Sequence, residues 1–430
     1  MRVIIGALLP LLVSAGILYT GNNLQNTLLA VRGNSEGFNV TLIGALLSAY
    51  FVGFIVGCRY APRPIAAVGH IRAFSAFASI ASAAALGHAV FVEPKVWLVL
   101  RVIVGFCMAG IAMIIESWLN EMASNENRGR VLSVYRLVDL GSAALGQALL
   151  VVAHPSSFVL FSLISVLISL ALVPIALADR ATPAKIHTAK LDVAGLLVRA
   201  PLAAYGALLI AAAVTAFFAL APVYIQEIGY SSDVVALFMS SAIIGAALSQ
   251  WPLGLLSDRI DRTRVIVVAA LLAALGATAL LVASERPLWA LLLMAAGYGA
   301  FAFTVFGICI AHANDFAEPG SYIETNASLF LLYGVGAVVG PIAASSLMGQ
   351  FGPGALFIFM AVIFALLALI GFTQRQREAE ADLAPDDKDS YVALAGVGAI
   401  PVGTPESLEL DPRMHDESVA DDEETVSAAD

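Results

Sequence analysis

Twelve mostly apolar stretches follow one another along the chain, at about 4–30, 41–60, 72–92, 96–120, 131–153, 156–178, 201–225, 233–256, 265–284, 288–312, 322–347 and 353–373. A helix of roughly 20 such residues spans the hydrocarbon core of a bilayer. Composition agrees: 60% of the 430 residues are apolar and 13% are charged, against roughly 25% charged in a soluble protein. No single water-soluble core can bury that much apolar surface. A soluble enzyme, a disordered protein and a collagen-like chain are excluded, and the expected class is an all-α integral membrane protein with twelve transmembrane helices. The first stretch is too long for the apolar region of a signal peptide and lacks a clear cleavage site. It also carries Asn22, Asn23, Gln25 and Asn26, so a retained helix is expected.

The bases test the count. With the N-terminus in the cytoplasm, the inner side carries Arg2, Arg59, Arg63, Arg72, Arg128, Arg130, Arg180, Lys185, Lys190, Arg199, Arg259, Arg262, Arg264, Arg375 and Arg377. The outer side carries only Arg32, Lys95 and Arg286. An excess of bases on the cytoplasmic side is what orients such proteins. Both termini are therefore expected inside a bacterial cytoplasmic membrane.

A polar, basic connection at about 179–200 separates spans six and seven. The expected organisation is a six-helix half at 1–178, a cytoplasmic linker at 179–200, a second six-helix half at 201–373 and an acidic tail at 374–430. The tail holds 16 of the 32 acids and four of the 22 bases, so the net charge of −10 belongs to it and not to the body. It lacks apolar periodicity and is expected to be a solvated, disordered terminus. No basic stripe interleaved with aromatics supports nucleic-acid binding. Cys58, Cys107 and Cys309 have no metal-ligand or disulfide spacing. No metal and no cofactor is expected.

The halves echo each other at an offset of 192: Ser48 with Ser240, Gly53 with Gly245, Arg72 with Arg264. The run Gly254-Leu255-Leu256-Ser257-Asp258-Arg259-Ile260-Asp261-Arg262-Thr263-Arg264 resembles the loop motif Gly-x-Leu-x-Asp-Arg-x-Gly-Arg-x-Arg of the major facilitator superfamily, with Asp261 in place of a glycine. The first-half copy is degenerate, with Ala66 and Ala67 at the Asp and Arg positions. Arg101-Val102-Ile103-Val104-Gly105 resembles the superfamily's Arg-x-x-x-Gly motif, and Arg128-Gly129-Arg130 its element between spans four and five. Tyr50-Phe51-Val52-Gly53, Gly69-His70-Ile71-Arg72, Glu116-Ser117-Trp118-Leu119-Asn120 and Gln250-Trp251-Pro252 resemble its poorly characterised bacterial YcaD-like branch. The resemblance covers about 1–373 and implies two pseudo-symmetric six-helix halves, the major facilitator fold.

The resemblance also implies a cytoplasmic gate. Asp258 is expected to face the start of span five, where a carboxylate gains roughly 0.3–1 kcal/mol from the helix dipole. Arg259 belongs to the same string. Arg262 can reach Asp315, and by pseudo-symmetry His70 or Arg72 can reach Glu121. The alternative is that these loop charges serve only orientation. Gly334, Gly336, Gly340 and Pro341 read as packing and hinge elements of span eleven.

Ionisable residues inside a membrane are costly and are functional candidates by default. Arg101, Glu116, Arg136 and Asp139 stand out. Spans four and five form a hairpin turning near residue 126, so Glu116 and Arg136 should lie at similar depth. Asp139, three residues on, shares the Arg136 face. Two acids would then share one base, and the spare carboxylate can carry a proton; a permanent ion network is the alternative. Asn22, Gln25 and Asn26 share one face of span one and either contact a solute, with Asn23 beside them, or bond neighbouring helices. Gln250 and Tyr298 are further cavity candidates, within an aromatic-rich second half that either lines the cavity or packs.

The expected function is secondary transport of a small organic solute by alternating access, coupled to protons, with efflux slightly favoured and the protein functional as a monomer surrounded by membrane lipid. No ATP-binding loop and no catalytic Ser/His/Asp, HExxH or GxSxG set is present, so the chain is not expected to be an enzyme. The rival is a non-transporting receptor or scaffold acting through the acidic tail.

Overall fold

The computed structural model describes residues 2–123, 128–177, 191–282, 286–317 and 321–381. The acidic tail beyond 381, most of the 179–200 linker, and the side chain of Arg128 lie outside the described residues. The twelve apolar stretches form α1 (Arg2–Ser35), α2 (Val40–Tyr60), α3 (His70–Val90), α4 (Pro94–Met122), α5 (Arg128–Leu149), α6 (Phe158–Ile175), α7 (Pro201–Glu227), α8 (Ser232–Arg259), α9 (Arg262–Leu281), α10 (Leu288–Asp315), α11 (Tyr322–Phe351) and α12 (Ala355–Ala381). Among the described residues there is no β-strand. Among the described residues, eleven helices are long and apolar enough to cross a membrane. The helix outside that count is α1, whose 34 residues suffice in length and whose first stretch lies largely outside the described side chains.

Helix boundaries follow local chemistry. The Asn39 side chain caps α2 by accepting from the Leu42 N–H at 2.7 Å. Glu93 caps α4 ahead of Pro94, a residue suited to the first helical position because it lacks the N–H that would go unpaired. Asp261 caps α9 through the Thr263 N–H. Gly69 at φ 85 breaks the short helix Pro62–Val68 from α3, a conformation that costs an L-residue a clash.

Lipid tails are as apolar as leucine, so helices in a membrane associate through close packing at small residues. The two halves use the same device. A Cβ on Gly53 (α2) would strike the Val102 carbonyl of α4, and one on Gly245 (α8) the Ala296 carbonyl of α10. Gly105 and Gly299 reciprocate against the Tyr50 and Ala242 carbonyls. Gly336 and Gly340 of α11 press on Leu208 and Ala212 of α7, and α11 runs unbroken through Pro341. Between halves, α2 lies along α11: Gly44 against Pro341 and Ser345, and the Ser48 hydroxyl donating to the Val338 carbonyl at 2.7 Å. Outward faces carry large apolar side chains, among them Leu248, Trp251 and Leu293.

Candidate transport site

Polar side chains concentrate inside the first half. Tyr19, Asn22 and Asn23 of α1, Tyr50 of α2, Glu116 of α4, and Tyr135, Arg136 and Asp139 of α5 line one cavity of about 30 Å³, above the roughly 10–15 Å³ that a single water needs. Glu116, Arg136 and Asp139 are 2%, 7% and 7% exposed, and the structure brings all three to this cavity. The Tyr135 hydroxyl donates to the Glu116 carboxylate at 3.0 Å, and the Tyr19 and Tyr135 oxygens are 2.6 Å apart. The Arg136 guanidinium lies 5.4 Å from the Tyr135 ring centre. Sequence reasoning missed Tyr19 and Tyr135, whose one signal is the adjacency of Tyr135 to Arg136, and it quoted Tyr50 only within a family-like string, not as a site residue.

Arg101 occupies a second position, where α4 meets α1 and α2. It donates to the Asn26 amide oxygen at 2.6 Å and to the Leu46 carbonyl at 3.3 Å, and it lies 4.5 Å from the Tyr50 ring centre. These partners are neutral, and together they hold a buried guanidinium through hydrogen bonds and a cation–π contact. Asn22 faces the cavity. Gln25 is fully buried with neither amide atom hydrogen-bonded, and Asn23 donates back to the Tyr19 carbonyl. Thr27 donates to Gln147 of α5 at 2.9 Å, an amide contact the sequence reading did not single out.

Two expectations are corrected. His70 and Arg72 do not pair with Glu121: Arg72 and Glu121 are exposed, and the His70 ring sits 6.0 Å from the Trp118 ring with both nitrogens unpartnered. The turn at Gly69 starts α3 at His70 and aims that side chain into the bundle rather than along the surface. Tyr298 does not face a cavity. Its hydroxyl donates to the Met360 sulfur at 3.2 Å, and its ring stacks on Phe217 at 5.2 Å and meets Phe303 and Phe364. Phe217, Phe218, Tyr298 and Phe303 thus belong to the packed core of the second half. Gln250 is half-buried beside Trp251, which is 73% exposed at the lipid-facing surface.

At the end of the bundle where α2 joins α3 and α8 joins α9, Arg262 lies 3.1 Å from Asp315 and 3.4 Å from Asp258. The Arg262 and Asp315 side chains are 1% and 2% exposed, while Arg259 is exposed. Residues 124–127, which precede α5, lie outside the described residues, and so does any contact of Asp258 with them. The opposite end holds a cleft of about 540 Å³ lined by Ser35, His154, Gln226, Tyr230 and Asp233. Beside it, the Asn34 amide donates to Gln226 at 3.1 Å.

Repeated membrane-spanning helices surrounding a buried, charged cavity define a multi-pass membrane transporter. The chain belongs to the Major Facilitator Superfamily, whose family model matches residues 11–248 and 206–405. It is similar to the uncharacterized MFS-type transporter YcaD of Salmonella newport, 27% identical over 331 residues, which cover 76% of this chain and 85% of that protein. The YcaD protein of Salmonella typhi matches to the same extent. The crystal structure of the nucleoside transporter NupG superposes with a TM-score of 0.73 at 13% identity, over 86% of this chain and 98% of that one. A D-xylose–proton symporter superposes with a TM-score of 0.65 at 15% identity, over 85% and 96%. At such identities these two structures establish the fold alone. A transporter of this superfamily is not an enzyme.

Proposed function

We propose that the protein is a proton-coupled secondary carrier of a small, polar organic solute, working by alternating access in a bacterial cytoplasmic membrane. The observation that carries the reading is the cavity shared by Glu116, Asp139 and Arg136. Two carboxylates beside one guanidinium leave one negative charge to be titrated. Low dielectric surroundings make that charge costly and its protonation easy to couple to movement. The solute face is built from Asn22, Asn23, Gln25 and Asn26, with Arg101 anchoring Asn26. Of the aromatic residues that argued for efflux of amphipathic compounds, Phe217, Phe218, Tyr298 and Phe303 pack among themselves, and the amides favour a polar solute.

The division at 1–178, 179–200, 201–373 and 374–430 supplies two rigid halves, a connecting linker and a tail, with both termini cytoplasmic and one chain sufficient. On this orientation Arg262 ties the cytoplasmic ends of α8, α9 and α10 together within the second half, through Asp258 and Asp315, and so shapes the face on which a gate to the first half closes. A solute screen in proteoliposomes, run with and without an imposed pH gradient, tests the reading. The expected result is at least one polar solute whose flux follows the gradient in the wild type and not in Glu116→Gln. Flux indifferent to both the gradient and the substitution would leave the fold standing and remove the coupling.

A further inference from the structure

Glu116 is 2% exposed in the interior of a membrane protein, so a row of groups already in hydrogen-bond contact is a ready route for a proton to reach it. The structure holds such a path. The Tyr135 hydroxyl of α5 is 3.0 Å from the Glu116 carboxylate of α4, and the Tyr19 hydroxyl of α1 is 2.6 Å from that of Tyr135. All three residues line the cavity, in which there is room for at least one water molecule. Both distances lie within the range of direct proton transfer.

The chemistry of the groups fixes the direction of each bond. An ionised carboxylate only accepts, and a tyrosine has one proton to give. With Glu116 ionised, Tyr135 donates to it, and the Tyr135 oxygen must accept from Tyr19. With Glu116 protonated, the carboxyl can donate to Tyr135, Tyr135 to Tyr19, and Tyr19 into the cavity. The row therefore has two complete hydrogen-bonded arrangements that differ by one proton at Glu116 and by the polarity of every bond between. Phenylalanine would fill either site in an apolar bundle without burying a hydroxyl that has to be paired.

We infer that Tyr19 and Tyr135 form a proton relay that loads and unloads Glu116, an inference that rests on the proton-coupling reading above. In the loading step the Glu116 carboxylate takes the Tyr135 proton, the Tyr135 oxygen takes the Tyr19 proton, and the Tyr19 oxygen takes one from a hydronium in the cavity. Each O–H bond broken is replaced by one formed. Both tyrosines end neutral, Glu116 ends as the acid, and one water is released. Unloading runs the same steps backwards. The charged and titratable groups facing this row are Arg136 and Asp139 on α5 and Tyr50 on α2, with Asn22 and Asn23 on α1 and Arg101 of α4 behind Tyr50.

The test needs no solute. The purified full-length protein is subjected to a proton-release pH jump, and the carbonyl stretch of the protonated carboxylic acid is followed by time-resolved infrared spectroscopy. Glu116→Gln identifies the band by removing it. Tyr19→Phe leaves the Tyr135–Glu116 bond in place and cuts only the entry point; Tyr135→Phe cuts both. Each is expected to slow the appearance of the band about a hundredfold, the lower end for loss of a positioned proton-transfer group, while the final amplitude remains. A band that Glu116→Gln removes, but whose rate stays within twofold of wild type in Tyr19→Phe and Tyr135→Phe, overturns the relay and spares the coupling site. A band untouched by Glu116→Gln shows that Glu116 does not titrate, and overturns both. A Tyr135→Phe effect without a Tyr19→Phe effect assigns Tyr135 a structural role and overturns the relay.

Discussion

Asn34 and Gln226 meet side chain to side chain at 3.1 Å, and they stand 192 positions apart, the offset that relates Gly53 to Gly245 and Arg72 to Arg264. A contact between equivalent residues of a two-fold repeat lies on or near its axis, as in an isologous dimer. Here the axis passes beside the cleft at the α1–α2 end, and the bond ties α1 to α7 across the two halves. Opening that end must separate the pair. In a background where Cys58, Cys107 and Cys309 are replaced, Asn34→Cys with Gln226→Cys and a short bis-methanethiosulfonate linker is expected to arrest transport, with recovery on reduction. Undiminished flux through the linked protein would show that this end does not open.

Gly53 and Gly245 predict a symmetric mutational result. Each lets its helix touch a backbone carbonyl of the crossing helix, Val102 on α4 or Ala296 on α10. A backbone atom cannot swing aside as a side-chain tip can. Gly53→Ala and Gly245→Ala should each lower stability by about 1–3 kcal/mol, the usual cost of overpacking, seen as similar falls in thermal midpoint. Gly141, where an added Cβ meets no atom within 4 Å, is the control and should shift little.

The Arg262 contacts should differ sharply in weight. Asp315 is buried with it, whereas the Asp258 side chain is 29% exposed. Removing one member of a buried pair strands the other charge and costs about 3–5 kcal/mol; an exposed ion pair contributes about 0–1 kcal/mol. Asp315→Asn should therefore destabilise the protein far more than Asp258→Asn. Equal effects in thermal unfolding would contradict the burial argument.

A pH effect is expected just before α7. The Asp192 carboxylate accepts from the Gly195 N–H at 2.9 Å and from Arg199 at 2.7 Å, while its own N–H donates to the Ser328 hydroxyl on α11. The Gly195 N–H, and then Arg199, hold this exposed carboxyl below its ordinary range. A lowered folded value gives a contribution fully present above the unfolded value, about 4 for aspartate, and lost as pH falls through the folded one. Hydrogen exchange in the helix Val193–Arg199 should be flat near neutrality, after correction for intrinsic rates, and rise only in strong acid. Asp192→Asn should loosen it at pH 7.

Much of this architecture was legible in the sequence, for identifiable reasons. Apolar run length and arginine placement follow directly from the bilayer, so the spans could be delimited to within a few residues. Counting outward from the α4–α5 turn placed Glu116 and Arg136 together because a hairpin fixes relative depth. Helical rotation was harder to read. Tyr298 lies on a helix with several apolar faces, and periodicity does not say whether α12 or a cavity stands opposite. His70 was misread because a single positive-φ glycine re-aims everything after it. Tyr19 and Tyr135 were overlooked because a tyrosine in a membrane helix is ordinarily a packing or interfacial residue, and only the 2.6 Å contact sets them apart.

The central claim is that solute and proton move together through Glu116. Reconstituted protein loaded with a pH-sensitive dye reports it directly: a transported solute is added without any imposed gradient, and the internal pH is followed. Solute should evoke a proton movement that scales with its flux in the wild type and is abolished in Glu116→Gln. Solute flux with no accompanying pH change, or an undiminished change in Glu116→Gln, would contradict the account.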